Sequence, residues 1–385
     1  MASSAIVPAW GADLGLIRVM LAMAVLFGHL PIVDVHVMGA GLAVQGFFIV
    51  SGFYMSLVLS GKYNRNLGLF YSNRLLRLMP TYFVMMALYG VALWGFNASA
   101  TSAPEVFAHA FSNPMTAIVM GFENIAIVGQ ELLFWFTLGP HGELIFNATG
   151  PTPNPPDLIV GWQALLVPQS WSLSMELMFY AIAPFLARLN WRWLAAIAAA
   201  SIALRLAGYA LGVNYAVWQG RFFPTALFLF VLGMLAQRTL PLAARLPKAT
   251  GWIVNVMLLA LMIALQVVVQ ALQVPAEFAR WIMYGLIAFA IPFLFNAFKD
   301  FSLDRWIGDL SYPLYLVHLL VIGAVLTFIP NAPYAPWAAI GGSLLGSALV
   351  LAVIDRPVDR WRQRRAKRAG AVAPALGPQA RVAAP

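Results

Sequence analysis

Arg18 and His29 lie in the first strongly apolar segment, LIRVMLAMAVLFGHL, with ten residues between them. A cation inside a membrane-length apolar run is disfavoured, by about 2.5 kcal/mol on insertion scales and by more than about 10 kcal/mol in simulations. The eleven residue steps from Arg18 to His29 make close to three helical turns. Both side chains therefore share one face, roughly 16 Å apart along the axis. A titratable base and a fixed cation on one stripe, toward opposite ends of a membrane helix, suit a reaction conducted across a bilayer. The competing reading is structural: Arg18 snorkels to the inner headgroups and His29 caps the outer interface.

Four more segments carry chemistry. GFFIVSGFYM places Ser51 between Gly46 and Gly52; small residues bring helices close, and Ser51 reads as a buried hydrogen-bonding group rather than a nucleophile. Arg74 and Arg77 stand three apart ahead of Pro80. They mark topology, or their guanidinium forks clamp the phosphates of an anionic ligand. In QSWSLSMELMFY, Ser172, Glu176 and Tyr180 recur at i, i+4 and i+8, a polar stripe with Glu176 about 8 Å below Trp171. An intramembrane carboxylate is a functional candidate; its structural alternative is pairing with Arg205 or Arg18. In GDLSYPLYLVHLL, Ser311, Tyr315 and His318 share a face, and His318 is expected about 10 Å inside the cytoplasmic end. A lone buried histidine is more often structural than catalytic. The expected arrangement has His29 and Glu176 toward the outside, with Arg74, Arg77 and His318 toward the inside, along one polar path. No P-loop or GxGxxG occurs, which argues against a nucleotide as energy source.

These residues need a membrane scaffold, and the composition demands one. Of 385 residues, 62% are hydrophobic and 10% charged, with mean hydropathy +0.80; soluble domains carry about 25% charged residues. The length suits about ten spans joined by short loops. The net charge of +9 follows membrane topology rather than nucleic-acid binding. The absence of cysteine excludes disulfides, thiol nucleophiles and S-palmitoylation. No basic region precedes the first apolar run, so that run is expected to be retained as a span and not cleaved as a signal peptide.

Eleven hydrophobic runs fall near 14–33, 40–59, 78–96, 115–138, 171–187, 191–211, 222–237, 252–273, 281–298, 312–329 and 336–354. All but four of the 23 basic residues cluster after the second, fifth, seventh and ninth runs and in the tail. Arg221 and Arg280 fall in the alternate loops, and Arg18 and Arg205 fall within runs. The positive-inside rule then puts the clusters and both termini in the cytoplasm. Parity requires one run not to cross. The run 115–138, with Glu123, Asn124, Gln130 and Glu131, is expected to be re-entrant or interfacial. The fold class expected is thus an all-α polytopic bundle of about ten transmembrane helices plus that segment. A membrane domain over 1–355 precedes a basic, disordered cytoplasmic tail over 356–385. The Pro/Gly-rich loop 139–170 reads as an external lid or acceptor-binding loop.

Taken together, these segments resemble the acyltransferase-3 family of integral membrane acyltransferases, over about residues 10 to 355. Arg18 and His29 match its Arg-x10-His signature, and FFIVSGF its FFxxSGF element. Arg74, Arg77 and Pro80 match RxxRxxP, WSLSMELMFY resembles WSLxxExxFY, and SYPLYLVH resembles SYxxYLxH. Two positions depart: Gln45 stands where many members have Asp before the Phe pair, and Leu177 where many have a second acidic residue. The extra C-terminal hydrolase-like domain of some members is not expected.

The resemblance implies acetyl-CoA, or another acyl-CoA, as a cytoplasmic donor substrate, with a saccharide or glycolipid hydroxyl as acceptor and no metal. The expected setting is a bacterial inner membrane. On this reading His29, Arg18 and Glu176 are catalytic; Arg74, Arg77, Ser51, Tyr315 and His318 bind the donor; Ser172, Tyr180 and Gln45 bind the acceptor. Direct transfer and an acyl-histidine intermediate both remain open, as does the oligomeric state. The rival from another class is a secondary transporter or saccharide exporter using the polar stripe as a substrate or proton path. The lack of an internal repeat argues against it. A third reading, an idle membrane scaffold, predicts no acyl-CoA turnover.

Overall fold

In hydrocarbon every backbone N–H and C=O must be bonded within the protein, so long apolar runs become helices. The computed structural model describes residues 14–30, 39–60, 66–148, 158–213, 215–273 and 276–368. Its first five helices are α1 Gly15–Gly28, α2 Ala40–Ser60, α3 Leu67–Phe96, α4 Pro104–Ser112 and α5 Pro114–Ala126. A short hairpin follows, β1 Phe136–Leu138 paired antiparallel with β2 Leu144–Phe146. Then come α6 Trp171–Leu186, α7 Trp191–Ala210, α8 Tyr215–Trp218, α9 Phe223–Arg238 and α10 Leu240–Ala243. The chain continues with α11 Lys248–Leu272, α12 Ala276–Phe298, α13 Ser302–Phe328, α14 Ala335–Val350 and α15 Arg356–Arg368. Lys62 and Arg65, residues 149–157 of the external loop and the tail from 369 lie outside the described residues.

Seven of these helical stretches are long and apolar enough to cross a membrane: α2, α3, α7, α11, α12, α13 and α14 running on toward α15. Their outer faces carry large apolar side chains, such as Val91 and Trp94 on α3, Val256 and Val267 on α11, and Trp337 and Leu345 on α14. This is the pattern of lipid contact rather than of a water-facing surface. Three other runs expected to span form shorter helices: α1 has 14 residues, and α6 and α9 have 16 each. They fall below the ~20 residues a full crossing needs. They are also interior helices, with Leu21, Val25 and Leu26 on α1, Met175 and Phe179 on α6 and Leu229 and Phe230 on α9 all buried. Helix ends at depth are tolerated only where protein or a cavity covers them. The termini of α1 and α6 are therefore natural walls for a site.

Two contacts fix these interior helices. A Cβ on Gly52 of α2 would stand 1.9 Å from the Phe230 carbonyl oxygen, and one on Gly233 of α9 would stand 1.9 Å from that of Ile49. Glycines on both sides thus let the two backbones touch, the small-residue packing typical of membrane helices. Gly52→Val is expected to destabilise the protein at or above the upper end of the ~1–3 kcal/mol range for overpacking. A thermal melt in detergent checks it: a midpoint equal to wild type removes the argument. The start of α1 is held by α13, where Asp304 carboxylate oxygens accept from Gly15 N at 2.8 Å and Leu16 N at 2.7 Å. That carboxylate satisfies the free N–H groups of α1 and favours the positive end of its dipole.

The run 115–138 does not form one helix. It breaks into α5, a 3-10 turn at Gln130–Trp135 and strand β1. Its polar residues, ill suited to lipid, fasten this cap to the bundle. Tyr82 of α3 donates to the Asn124 carbonyl at 2.6 Å, Ser170 donates to Gln130 Oε1 at 2.6 Å, and Ser174 of α6 donates to Glu131. Burial and the nearby Glu131 push the Glu123 carboxyl up to about 7.

The expectation of disorder directly after residue 355 is corrected over 356–368, which is helix α15, entered through a π turn at Leu351–Asp355. Partners on α3 make the difference. Arg77 lies 3.7 Å from Asp355 and 3.3 Å from Asp359, and Arg365 donates to Ser72 Oγ at 2.7 Å.

Candidate active site

A cavity of about 1030 Å³ opens among α1, α2, α3, α6, α13 and α15. Its polar lining includes Arg18, Ser51, Arg74, Arg77, Ser172, Glu176, Tyr180, Ser311, Tyr315 and Arg362. Eight of the eleven residues given a catalytic or binding role from sequence thus meet in one chamber. Ser51 and Tyr315, expected at the donor, share this space with Ser172 and Tyr180, expected at the acceptor. Glu176 sits with the arginines, not apart from them.

Helical spacing explains the carboxylate's setting. Glu176 and Tyr180 are one turn apart on α6, and the Tyr180 hydroxyl donates to Glu176 Oε1. Ser51 of α2 donates to the same oxygen at 3.0 Å. Glu176 is therefore oriented by hydroxyls, and Arg205, weighed as its structural partner, donates instead to Gln219 and Tyr284. The guanidinium of Arg74 lies 5.8 Å from the centres of both the Phe70 and Tyr180 rings, and that of Arg77 5.7 Å from Tyr312. Aromatic faces hold both arginine planes, and Arg77 Nη1 donates to Asp359 at 3.3 Å. Four arginines and Glu176 line the chamber, and Asp359 pairs with two of those arginines, Arg77 and Arg362.

His29 and His318 lie outside that lining, and their relation is the main correction. His318 was expected near the inner end, far from His29. Instead the two ring centroids are 5.1 Å apart. The reason lies in where α13 starts. It begins at Ser302, so His318 stands about 24 Å along the helix rather than one or two turns from its end. Tyr315 links the pair to the chamber: its ring centre is 6.0 Å from His318, and its hydroxyl lies 2.7 Å from Ser172 Oγ.

The hydrogen bonds also assign the tautomers. His29 Nδ1 lies 2.8 Å from the Val25 carbonyl oxygen and His318 Nδ1 lies 2.8 Å from that of Tyr315. A carbonyl oxygen only accepts, so each Nδ1 carries the hydrogen and each neutral ring keeps its lone pair on Nε2. His29, at the C-cap of α1, is exposed. His318 is 1% exposed and its Nε2 has no hydrogen-bond partner among the described residues. The His29 residue is thus exposed, and His318 is buried beside it.

Gln45 lies elsewhere. Tyr284 donates to its Oε1, its Nε2 donates to the Gln219 carbonyl at 3.3 Å, and Arg205 donates to that same carbonyl at 2.8 Å. The amide both accepts and donates here, which a carboxylate at this position cannot do. Arg205 is fully enclosed, with its guanidinium 5.3 Å from the Phe228 ring centre and 5.4 Å from that of Trp281.

Two arginines were missed as site residues. Arg362 was assigned to the disordered tail, and its i+3 spacing from Asp359 was the only available signal. Arg221 was counted only as a loop charge. It stacks 4.3 Å from the Phe134 ring centre and 5.2 Å from that of Trp171, within electrostatic range of His29 and Tyr315. No local motif marks it, since its partners come from four separate segments.

The long apolar helices and the chamber of polar side chains between them point to a class, the integral membrane acyltransferases. Residues 12–355 match the acyltransferase domain model of that class, and the chain belongs to the acyltransferase-3 family of membrane acyltransferases. No curated protein and no solved structure matches it.

Proposed function

We propose that the protein moves an acyl group, acetyl in the first instance, from cytoplasmic acyl-CoA to a hydroxyl of an extracytoplasmic or membrane-linked glycan in a bacterial inner membrane. One observation carries the reading: Arg18, Arg74, Arg77 and Arg362 line one chamber, and Tyr315 of that lining stands 6.0 Å, between ring centres, from His318 of the His29–His318 pair. Coenzyme A brings several phosphates, which guanidinium forks bind in bidentate fashion, and a thin pantetheine arm that extends toward the histidines.

In this mechanism His29 Nε2 takes the proton of the acceptor hydroxyl, and the oxygen attacks the thioester carbonyl carbon. The C–S bond breaks as the tetrahedral intermediate collapses, and the departing coenzyme A thiolate receives the proton from His29. Arg221, within range of His29, stabilises the negative charge that develops on the carbonyl oxygen. Arg18 orients the donor, and Glu176, held by Ser51 and Tyr180, shapes the path between donor and histidine.

Mass spectrometry of surface glycans from cells with and without the protein, paired with thiol release from acetyl-CoA in vesicles, tests the proposal. Loss of an acetyl increment from the glycan and protein-dependent thiol release are expected. Unchanged glycan masses together with no thiol release rule it out.

A further inference from the structure

The matched acyltransferase domain ends at residue 355, yet helix α15, Arg356–Arg368, adds a wall to the chamber. Arg362 lines the cavity and is only 4% exposed, unlike a solvated basic tail. Beside it Asp359 bridges two cavity arginines. Its Oδ1 lies 3.1 Å from Arg362 Nη1 and its Oδ2 lies 3.3 Å from Arg77 Nη1. The helix is anchored independently, through Asp355 with Thr81 and Arg77, through Arg365 with Ser72, and through fully buried Ala366. A carboxylate with each oxygen on a different arginine occupies the geometry that a phosphate uses. Asp359 is also 24% exposed, so it has room to turn away into water.

We propose that α15 is part of the donor site: Arg362 is an additional phosphate-binding arginine, and Asp359 is an internal competitor that the donor's phosphate displaces from Arg77 and Arg362. This rests on the reading of the chamber as an acyl-CoA site. The consequence is graded control of donor affinity by a segment outside the family domain. An empty site keeps two of its cations neutralised, and a polyanionic donor releases them.

The test is binding of CoA, measured calorimetrically on the purified full-length protein in nanodiscs, with acceptor KM measured in parallel. Arg362→Gln is expected to weaken CoA by about tenfold or more, as loss of a charge-assisted hydrogen bond requires, and to leave the acceptor KM unchanged. Arg362→Lys is expected to recover part of the loss. Asp359→Asn is expected to tighten CoA, because the competing carboxylate is gone while the helix keeps its other anchors. If α15 is only a brace, Asp359→Asn weakens CoA in the same sense as Arg362→Gln, and the proposal is overturned. Wild-type affinity in Arg362→Gln overturns it as well, while the donor reading survives. A wild-type protein that binds no CoA sinks the donor reading itself, and this proposal with it.

Discussion

His29→Ala is expected to lower acyl transfer by about 10²–10⁴-fold, the usual contribution of a general base, without loss of folding. The structure gives reasons for both halves. His29 is exposed at the C-cap of α1, so its removal leaves no large cavity in the core. Its Nδ1 is held by the Val25 carbonyl, which aims Nε2 as the basic atom. Thiol release from acetyl-CoA at saturating donor and acceptor, with a melt of the same preparation, makes the check. Wild-type turnover in a folded His29→Ala protein would falsify the mechanism. A parallel loss of melting temperature would instead mark the residue as structural. His318, by contrast, is buried, its ring centre 5.1 Å from that of His29.

The second large effect separates two neighbouring arginines. Arg74→Gln is expected to raise the donor KM by about tenfold or more while the melting temperature holds, since aromatic rings surround that guanidinium. Arg77→Gln is expected to raise the donor KM and also to destabilise the fold. Asp355 has a side chain 2% exposed and lies 3.7 Å from Arg77. Removing one partner of a buried pair costs about 3–5 kcal/mol, because the other is left uncompensated. Donor KM and melting temperature, measured on both variants, give a two-by-two pattern. Equal stability of the two variants would remove Arg77's bracing role, and unchanged donor KM in both would remove the phosphate clamp.

Much of this was legible from residue order. Alternation of long apolar runs with arginine clusters is dictated by the bilayer, which admits helices and excludes unpaired charge. The stripes on single helices, Ser172–Glu176–Tyr180 above all, survive in the structure because a 3.6-residue period is a local property. The polar interruption at Glu123–Glu131 likewise predicted a run that is not one straight span.

What spacing alone could not supply was the identity of each stripe's neighbour. Height along a helix depends on where that helix begins, so placing Ser311 at the start of a segment put His318 at the wrong level; Ser302 and the capping by Asp304 corrected it. Gln45 turned from the cavity because Tyr284 and Gln219, far along the chain, satisfy both ends of its amide. Arg221 and Arg362 became site residues through aromatic and acidic partners on other helices. The sequence by itself determined the class of protein and its long apolar helices. Only tertiary packing decided that His29 meets His318, that Arg18 meets the other arginines, and that the basic tail closes the chamber. Helical periodicity acts within one segment, whereas these contacts join segments whose relative depth and rotation only packing sets.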